Sequence, residues 1–234
     1  MTRARAAIGL LVAVQWMTSA EAARADWHDP ADVIHGTAHT LEQGQWMIGV
    51  FTPVVYGIND SLMVITHPVL WVLLTPNGGL RWRIVESERV TFAVQADGAR
   101  SFLATETGEL RDPRPTGRIA TSTLTTFDLG ARVLLTVQVG YQHDFLPAED
   151  HLTFSGGVGW VIQPNHLLSL QGGSSWAFNA RAVGQTTAML LYTRAWDTLH
   201  LSVGVAYGNF PIALTSSAPL LVPVWPVVDV WWRF

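Results

Sequence analysis

Five side chains between positions 143 and 151 are of types that bind divalent cations: His143, Asp144, Glu149, Asp150 and His151. Imidazole nitrogens and carboxylate oxygens together suit several such ions. These residues fall in the polar stretch HDFLPAED and its neighbour, which we predict to be a loop between two strands. Because a polar loop that solvates the rim of the fold explains the same composition, we favour it and predict no metal site and no cofactor.

A serine activated by a histidine is the second arrangement that the sequence could contain. His151 and Ser155 share one face of a predicted strand, but four residues span about 13 Å, which is beyond hydrogen-bond reach. His166 and Ser169 fall on opposite faces of the next strand. The chain contains no cysteine, which excludes thiolate nucleophiles. We therefore predict no catalytic residues, although a triad completed from a neighbouring strand stays open.

The elements that must position these side chains are β-strands. Apolar residues alternate with small or polar ones along most of the chain after Trp46, as in VLLTVQVGY (133–141), LTFSGGVGWVI (152–162) and LHLSVGVAYG (199–208). A period of two is that of a strand with two different faces. Several of these segments reach the length of about 9–11 residues that a strand needs to cross a bilayer.

Composition indicates what each face of these strands meets. Hydrophobic residues make up 49% of the 234 residues and charged residues 14%, against about 25% charged in soluble domains. In a soluble β-sandwich, the alternative fold, the outer face carries charge, whereas here the less apolar face is mostly Gly, Ser, Ala, Thr and Gln. Such residues suit the crowded interior of a narrow barrel surrounded by lipid. We therefore predict an all-β fold, a transmembrane antiparallel up-and-down β-barrel over residues 45–234.

The connections and the strand count fit this class of fold. Short turns are predicted at 57–61, 86–88, 128–132, 163–166 and 196–198, and longer connections around 98–117, 143–150, 179–185 and 210–223. Transmembrane barrels have short turns on one rim and long loops on the other, and generally an even number of strands. About eleven segments look like strands, so we predict 10 or 12, with the error in the first third of the barrel. There, LMVITHPVLWVLL is interpreted as a strand followed by a hydrophobic loop.

Alternation assigns nine polar side chains to the interior, or lumen, of this barrel: Arg81, Arg83, Gln95, Gln138, Ser155, Gln171, His200, Asp229 and Arg233. The arginines could pair with acids into a packed plug, because an unpaired buried charge is costly. Alternatively, they could form a constriction that selects solutes by charge. Eight strands give a filled interior and about 16 or more give a wide channel, so a plugged or very narrow pore is the expectation here.

The first 25 residues, MTRARAAIGLLVAVQWMTSAEAARA, carry Arg3 and Arg5 before an apolar run and end on small residues. This is the pattern of a secretory signal peptide, and the run is far shorter than the roughly 20 residues of a membrane-spanning helix. Cleavage after Ala25 leaves an irregular polar lead over residues 26–44, which we predict to be mobile.

The final strand resembles the C-terminal assembly signal of bacterial outer-membrane β-barrel proteins. In VDVWWRF, one face is formed by Val228, Val230, Trp232 and Phe234, and Phe is the last residue. The stretch YGINDSLMV (56–64) also resembles a turn common in small barrels of that class. The resemblance implies an outer-membrane location, contact with outer-membrane lipid and lipopolysaccharide, and recognition of the final strand by the barrel-assembly machinery. The oligomeric state is left open.

The expected function is that of a small porin-like or narrow channel for small solutes. A non-transporting structural or adhesion barrel and a lipid-modifying outer-membrane enzyme are the alternatives. The net charge of −4 and the absence of a basic run give no electrostatic footprint for nucleic acid, so no nucleic-acid partner is expected.

Overall fold

Twelve antiparallel strands close into one barrel in the computed structural model, which describes residues 27, 29–102, 117–146, 148–208 and 224–234. Neighbours in the chain are neighbours in the sheet, and β12 pairs with β1 to complete the ring. The strands are β1 (Trp46–Gly49), β2 (Val54–Asn59), β3 (Leu62–Thr66), β4 (Asn77–Glu86), β5 (Val90–Arg100), β6 (Gly117–Asp128), β7 (Val133–Phe145), β8 (Ala148–Gln163), β9 (His166–Ala177), β10 (Ala182–Trp196), β11 (Leu199–Tyr207) and β12 (Val224–Arg233). The predicted all-β antiparallel barrel is confirmed. The predicted signal peptide lies outside the described residues.

The first third of the barrel, where the sequence leaves the strand number open, consists of short strands separated by a bend, a turn and a short helix. Residues 45–55 contain β1, a bend and the beginning of β2. The apolar run after Ser61 divides into β3 and a short helix α1 (Pro68–Val72), with Pro68 in its first turn, where a missing N–H costs no hydrogen bond. No helix among the described residues is long and apolar enough to cross a membrane.

The two rims of the barrel differ in their connections. One rim, the turn rim, carries the chain end and the connections 60–61, 87–89, 129–132, 164–165 and 197–198. The opposite rim, the loop rim, carries the bend 50–53 and the segment 67–76 with α1. Most of the long connections predicted around 98–117 and 210–223 lie outside the described residues.

The prediction of a loop over residues 143–150 is wrong. Strand β7 continues to Phe145 and β8 begins at Ala148, and these two residues pair directly. Polar side chains do not prevent strand pairing where a hairpin rises beyond the apolar part of the wall, because the backbone bonds are independent of them. The potential ligand residues therefore lie on two paired strands.

The outer face of the barrel is apolar between two levels of aromatic rings. Exposed valine and leucine side chains occupy the middle, among them Val137, Val158, Leu170, Val205 and Val228. Toward the turn rim, the exposed rings are those of Trp46, Trp82, Trp160 and Trp196. Toward the loop rim, they are those of Tyr141, Trp176 and Tyr207. An apolar band between aromatic girdles is the outer surface of a transmembrane barrel.

The junction of β12 with β1 joins the last strand to the first and is short. Met47, Ile48 and Gly49 are paired with Arg233, Trp232 and Trp231. Trp46 and Phe234 then exchange two backbone hydrogen bonds of 2.9 and 2.8 Å at the turn rim. The last residue therefore contributes directly to barrel closure.

Deletion of Phe234 removes both of these bonds, each worth about 0.5–1.5 kcal/mol. We expect the shortened protein, refolded in detergent, to unfold at lower urea concentration and to show less heat-modifiable band on gels. Val228→Ala, on the outer face of the same strand, is the control and should lose less. Equal stability of wild type and the Phe234 deletion would contradict this role in closure.

Candidate functional site: the occupied interior of the barrel

The interior of the barrel holds the described part of the N-terminal segment, residues 27 and 29–45, which we call the plug. Trp27, Val33, Ile34, Ala38 and Leu41 are each no more than 5% exposed. Trp27, Val33, Ile34 and Leu41 pack against apolar side chains that point inward from the turn-rim half of the wall, namely Met47, Val55, Met63, Leu134, Val161 and Leu167. Ala38 packs separately against Ala93 and Leu124. The segment predicted to be a mobile lead is thus anchored, because burial of its apolar residues in the barrel removes them from water.

Arg81 on β4 holds the middle of the plug. Its Nη1 donates to the backbone oxygens of Ile34, Thr37 and His39, at 3.3, 2.9 and 3.3 Å. Its Nε donates to Gln95 Oε1 at 2.8 Å. Arg81 as a whole is 8% exposed, so these acceptors replace the water that a buried cation loses.

Gln95 links Arg81 to an acid on the same wall. The Gln95 amide donates to both carboxylate oxygens of Asp97, at 3.1 and 2.9 Å. The charge of Arg81 is therefore balanced through an intervening amide, and its guanidinium stays free to bind plug carbonyls.

The two ends of the plug are held at the turn rim. Arg233 donates to the backbone oxygen of Asp32 at 3.1 Å, to its carboxylate at 3.5 Å and to Gln45 Oε1 at 3.1 Å. Trp27 N donates to Pro164 O at 2.6 Å. Arg83 bonds to Asp60 O at 2.7 Å and Glu86 at 2.6 Å, and so braces the turn rim itself.

Aromatic rings of the wall and of the plug form one stack. His200 lies parallel to Trp231, with centroids 3.6 Å apart and planes at 8°. From the plug, Trp27 contacts His200 edge-on at 5.3 Å and His35 contacts Trp231 edge-on at 5.3 Å. The pairing of two wall rings with two plug rings fixes the plug laterally.

Two glycines allow the plug to approach the wall. Gly36 has φ +68°, and a Cβ at this position would overlap Gln171 Nε2. On β2, a Cβ at Gly57 would overlap Glu42 O. Ala38 N also donates to Thr126 Oγ1 at 2.8 Å. The backbone of the plug therefore lies directly against the inner face of the wall.

Above the plug, toward the loop rim, the interior becomes polar and less filled. Gln138 Nε2 donates to Ser122 Oγ at 2.9 Å, and Ser155 Oγ donates to Gln138 Oε1 at 3.1 Å. A cavity of about 220 Å³ lies beside these residues and Gln171. Asp229, on the opposite side, accepts from Phe51 N at 3.0 Å and from the hydroxyl of Thr52.

Alternation divides the cluster at 143–151 between two sides of the wall. Inside, His151 Nε2 lies 3.2 Å from Asp144 and 3.6 Å from Glu149. Outside, His143 Nδ1 lies 2.7 Å from Asp150, which also accepts from Tyr141 at 2.5 Å. Among the residues that the structure describes, no group of three could hold a metal ion.

The serine and histidine pairs considered above have other partners. Ser155 bonds to Gln138, whereas His151 faces the two acids. His166 Nδ1 bonds to the hydroxyl of Tyr192. The described part of the chain thus places neither histidine against a serine.

Sequence reasoning did not foresee the plug. Its backbone is irregular, so no periodicity reports its burial. The available signal was the pairing of apolar residues in the polar lead with apolar residues at inward positions of β1 to β3. In the plug, the acceptors of Arg81 and Arg233 include backbone carbonyls, which any residue type offers.

The fold defines the class of protein, a twelve-stranded antiparallel transmembrane β-barrel. No family model matches the chain, and no curated protein is similar to it in sequence. The fold is similar to that of the NanC porin, with a TM-score of 0.53, 7% identity, and coverage of 81% of this chain and 95% of that one. A de novo designed transmembrane β-barrel covers 64% of this chain and 98% of its own, at 12% identity and a TM-score of 0.27, too low to support any argument.

Replacing Arg81 by Met should release the plug, because three carbonyls lose their charged donor. We expect a thiol at position 40, introduced by Thr40→Cys, to react with maleimide about tenfold faster or more in the Arg81→Met background. The chain has no other cysteine, so labelling reports this position alone. Arg194→Met, which removes the contact of an outer arginine with Trp196, is the matched control. Unchanged labelling in Arg81→Met would show that Arg81 does not hold the plug.

The plug should loosen in acid. The pKa values of His35 and His39 are lowered from 6.5 to about 4. Burial is the main cause for both, and the next is the charge of Arg81 for His35 and the charge of Arg83 for His39. A released plug binds these protons near pH 6.5, whereas a docked one does not, so docking is favoured above pH 6.5 and weakens as pH falls from 6.5 to 4. The expected loss is about tenfold per histidine for each pH unit in that window.

Hydrogen exchange of the plug amides, corrected for the intrinsic pH dependence, measures this effect against the amides of β6 to β8. The double variant His35→Gln and His39→Gln should abolish the excess exchange in acid. A plug whose protection relative to those strands is constant between pH 7 and pH 4.5 would be inconsistent with buried neutral histidines.

Proposed function

We propose that the protein is an outer-membrane channel for small solutes whose turn-rim half is closed by the plug. The single observation that carries the proposal is the division of the interior. The plug and the apolar wall fill the turn-rim half, whereas Gln138, Ser155 and Gln171 border a cavity in the half above it. Twelve strands enclose more space than the eight of a barrel whose interior is filled by side chains alone.

The outer-membrane location is supported by the apolar band, by the sequence pattern of the first 25 residues and by the final strand. Val228, Val230, Trp232 and Phe234 alternate with the inward residues Asp229, Trp231 and Arg233. We propose that they form the signal recognised by the barrel-assembly machinery. The turn rim then faces the periplasm, and the loop rim contacts lipopolysaccharide.

Opening requires movement of the plug without disruption of the barrel. Plug and wall are joined by side-chain contacts, namely apolar packing, the arginine contacts, ring stacking and a few further hydrogen bonds, whereas each wall strand is bonded to its neighbours along the sheet. The strand ladder is therefore a separate set of interactions, and the barrel can persist when the plug is displaced.

Planar-bilayer conductance of the mature chain tests the channel. We expect rare, small steps from wild type, and frequent, larger steps from Arg81→Met combined with Arg233→Met. Deletion of residues 27–41 should give the same open state, while the double-arginine variant covers the possibility that this deletion prevents refolding. Arg194→Met is the control and should behave as wild type.

The same plug favours the second candidate function, a barrel that transports nothing. If the variants fold, by heat-modifiable migration, and release the plug, by labelling at position 40, yet conduct no ions, the channel proposal is overturned in favour of a structural barrel.

A further inference from the structure

We propose that the cavity above the plug binds a small, neutral, polyhydroxylated solute of monosaccharide size or less. The inference rests on the proposed channel function, because it names the class of solute that enters from the loop rim. It goes beyond that function, since a passive channel needs no site of defined chemistry.

The lining of the cavity combines apolar surface with polar side chains and includes no charged residue. Strands β7 to β11 form its walls, and Gly36 of the plug contributes to its lining. Its inward polar side chains are those of Thr136, Gln138, Ser155, Gln171 and Thr187. A charged solute would lose hydration there without gaining a counter-charge among the lining residues, which is unfavourable.

The size of the cavity limits the solute. A volume of about 220 Å³ corresponds to about seven water molecules at about 30 Å³ each. Ligand pockets for drug-sized molecules are larger, about 300–1,000 Å³. The site therefore suits a compact solute with few heavy atoms.

The hydrogen-bonding groups divide into fixed and available ones. Gln138 is held by Ser122 and Ser155 through bonds of 2.9 and 3.1 Å, so its amide is oriented before any solute arrives. The side chains of Gln171 and Thr187 make no hydrogen bond within the described part of the chain. An amide and a hydroxyl each donate and accept, which is the requirement for binding adjacent hydroxyls of a polyol.

Apolar groups complete the site on its other side. Met189 and Ala206 line the cavity. Trp225 is the direct cross-strand partner of Ala206 and therefore lies on the same face of the sheet, and its buried indole nitrogen has no hydrogen-bond partner in the described residues. The carbon skeleton of a polyol can pack against such a surface while its hydroxyls reach the amides.

Equilibrium binding to the full-length mature protein in detergent tests this site, with D-glucose, D-gluconate and D-glucosamine as neutral, anionic and cationic probes. Fluorescence of the tryptophans, Trp225 among them, and calorimetry are the readouts. We expect saturable binding of glucose and about tenfold weaker binding or none of the charged analogues. Thr187→Val, which keeps the shape and removes the hydroxyl, should weaken glucose binding about fivefold.

Gln171→Glu provides a variant that a general loss of fold would not mimic. It should shift the preference from glucose to glucosamine, because a carboxylate replaces the neutral amide. Thr123→Val, on the outer face, is the matched control for Thr187→Val and should leave binding unchanged. Equal affinity for the three probes, no binding of glucose, or an unaltered preference in Gln171→Glu would overturn the site.

The two proposals fail in different measurements. Conductance by the plug-release variants without a preference for glucose would overturn the site and leave the channel. Selective glucose binding with no conductance would overturn the channel and, with it, the role of the site in solute passage.

Discussion

The guanidinium of Arg81 and the three plug carbonyls that it binds form the contact on which the interior of this barrel depends. A cation removed from water costs several kcal/mol unless polar groups replace the hydration. The plug backbone supplies those groups, and the same carbonyls would be buried without donors if Arg81 were absent. Wall and plug therefore satisfy each other's polar groups.

This arrangement gives the barrel two interiors with different physical character. Near the turn rim, Met47, Met63, Leu134 and Leu167 meet Leu41 of the plug and form a dry core similar to that of a soluble domain. Toward the loop rim, amides and hydroxyls border open space. A solute that enters at the loop rim thus meets a polar vestibule first and an apolar, closed half afterwards. A polar solute can cross the barrel only if the plug leaves the closed half, so transport depends on movement of the plug.

Much of the fold could be predicted from local patterns, because the side chains of a transmembrane strand alternate between lipid and the barrel interior. VLLTVQVGY begins where β7 begins and lies wholly within it, and LHLSVGVAYG covers all of β11. Pro226 weakens the pattern of β12, but it lies beyond the level at which β1 ends. The backbone oxygen of Val230 accepts a hydrogen bond from Val50 N, so the backbone groups of Val230 point toward β1. Pro226 lies four residues earlier on β12 and points to the same side, but β1 has already ended at that level. The N–H that proline lacks is therefore not needed there.

The candidate site could be predicted only in part. Alternation placed Arg81 and Arg233 on the inner face, but their acceptors in the plug include backbone oxygens that lie 42 to 47 and 201 positions away in sequence. Such contacts leave no trace in a local pattern, since any residue type offers a carbonyl. Similarly, the residues at 143–151 are adjacent in sequence, yet strand geometry sends them to opposite sides of one wall.

The central claim is that the plug occupies the barrel of the membrane-inserted protein. A disulfide between cysteines placed at Ala38 and Thr126, where N and Oγ1 are 2.8 Å apart, tests it most directly. Cysteines at Thr193 and Ser202, whose hydroxyls are 2.8 Å apart within the wall, serve as the reference pair. We predict that mild oxidation in native membranes cross-links both pairs to a similar extent. Cross-linking of the reference pair alone would contradict the account, because it would mean that the plug lies outside the barrel.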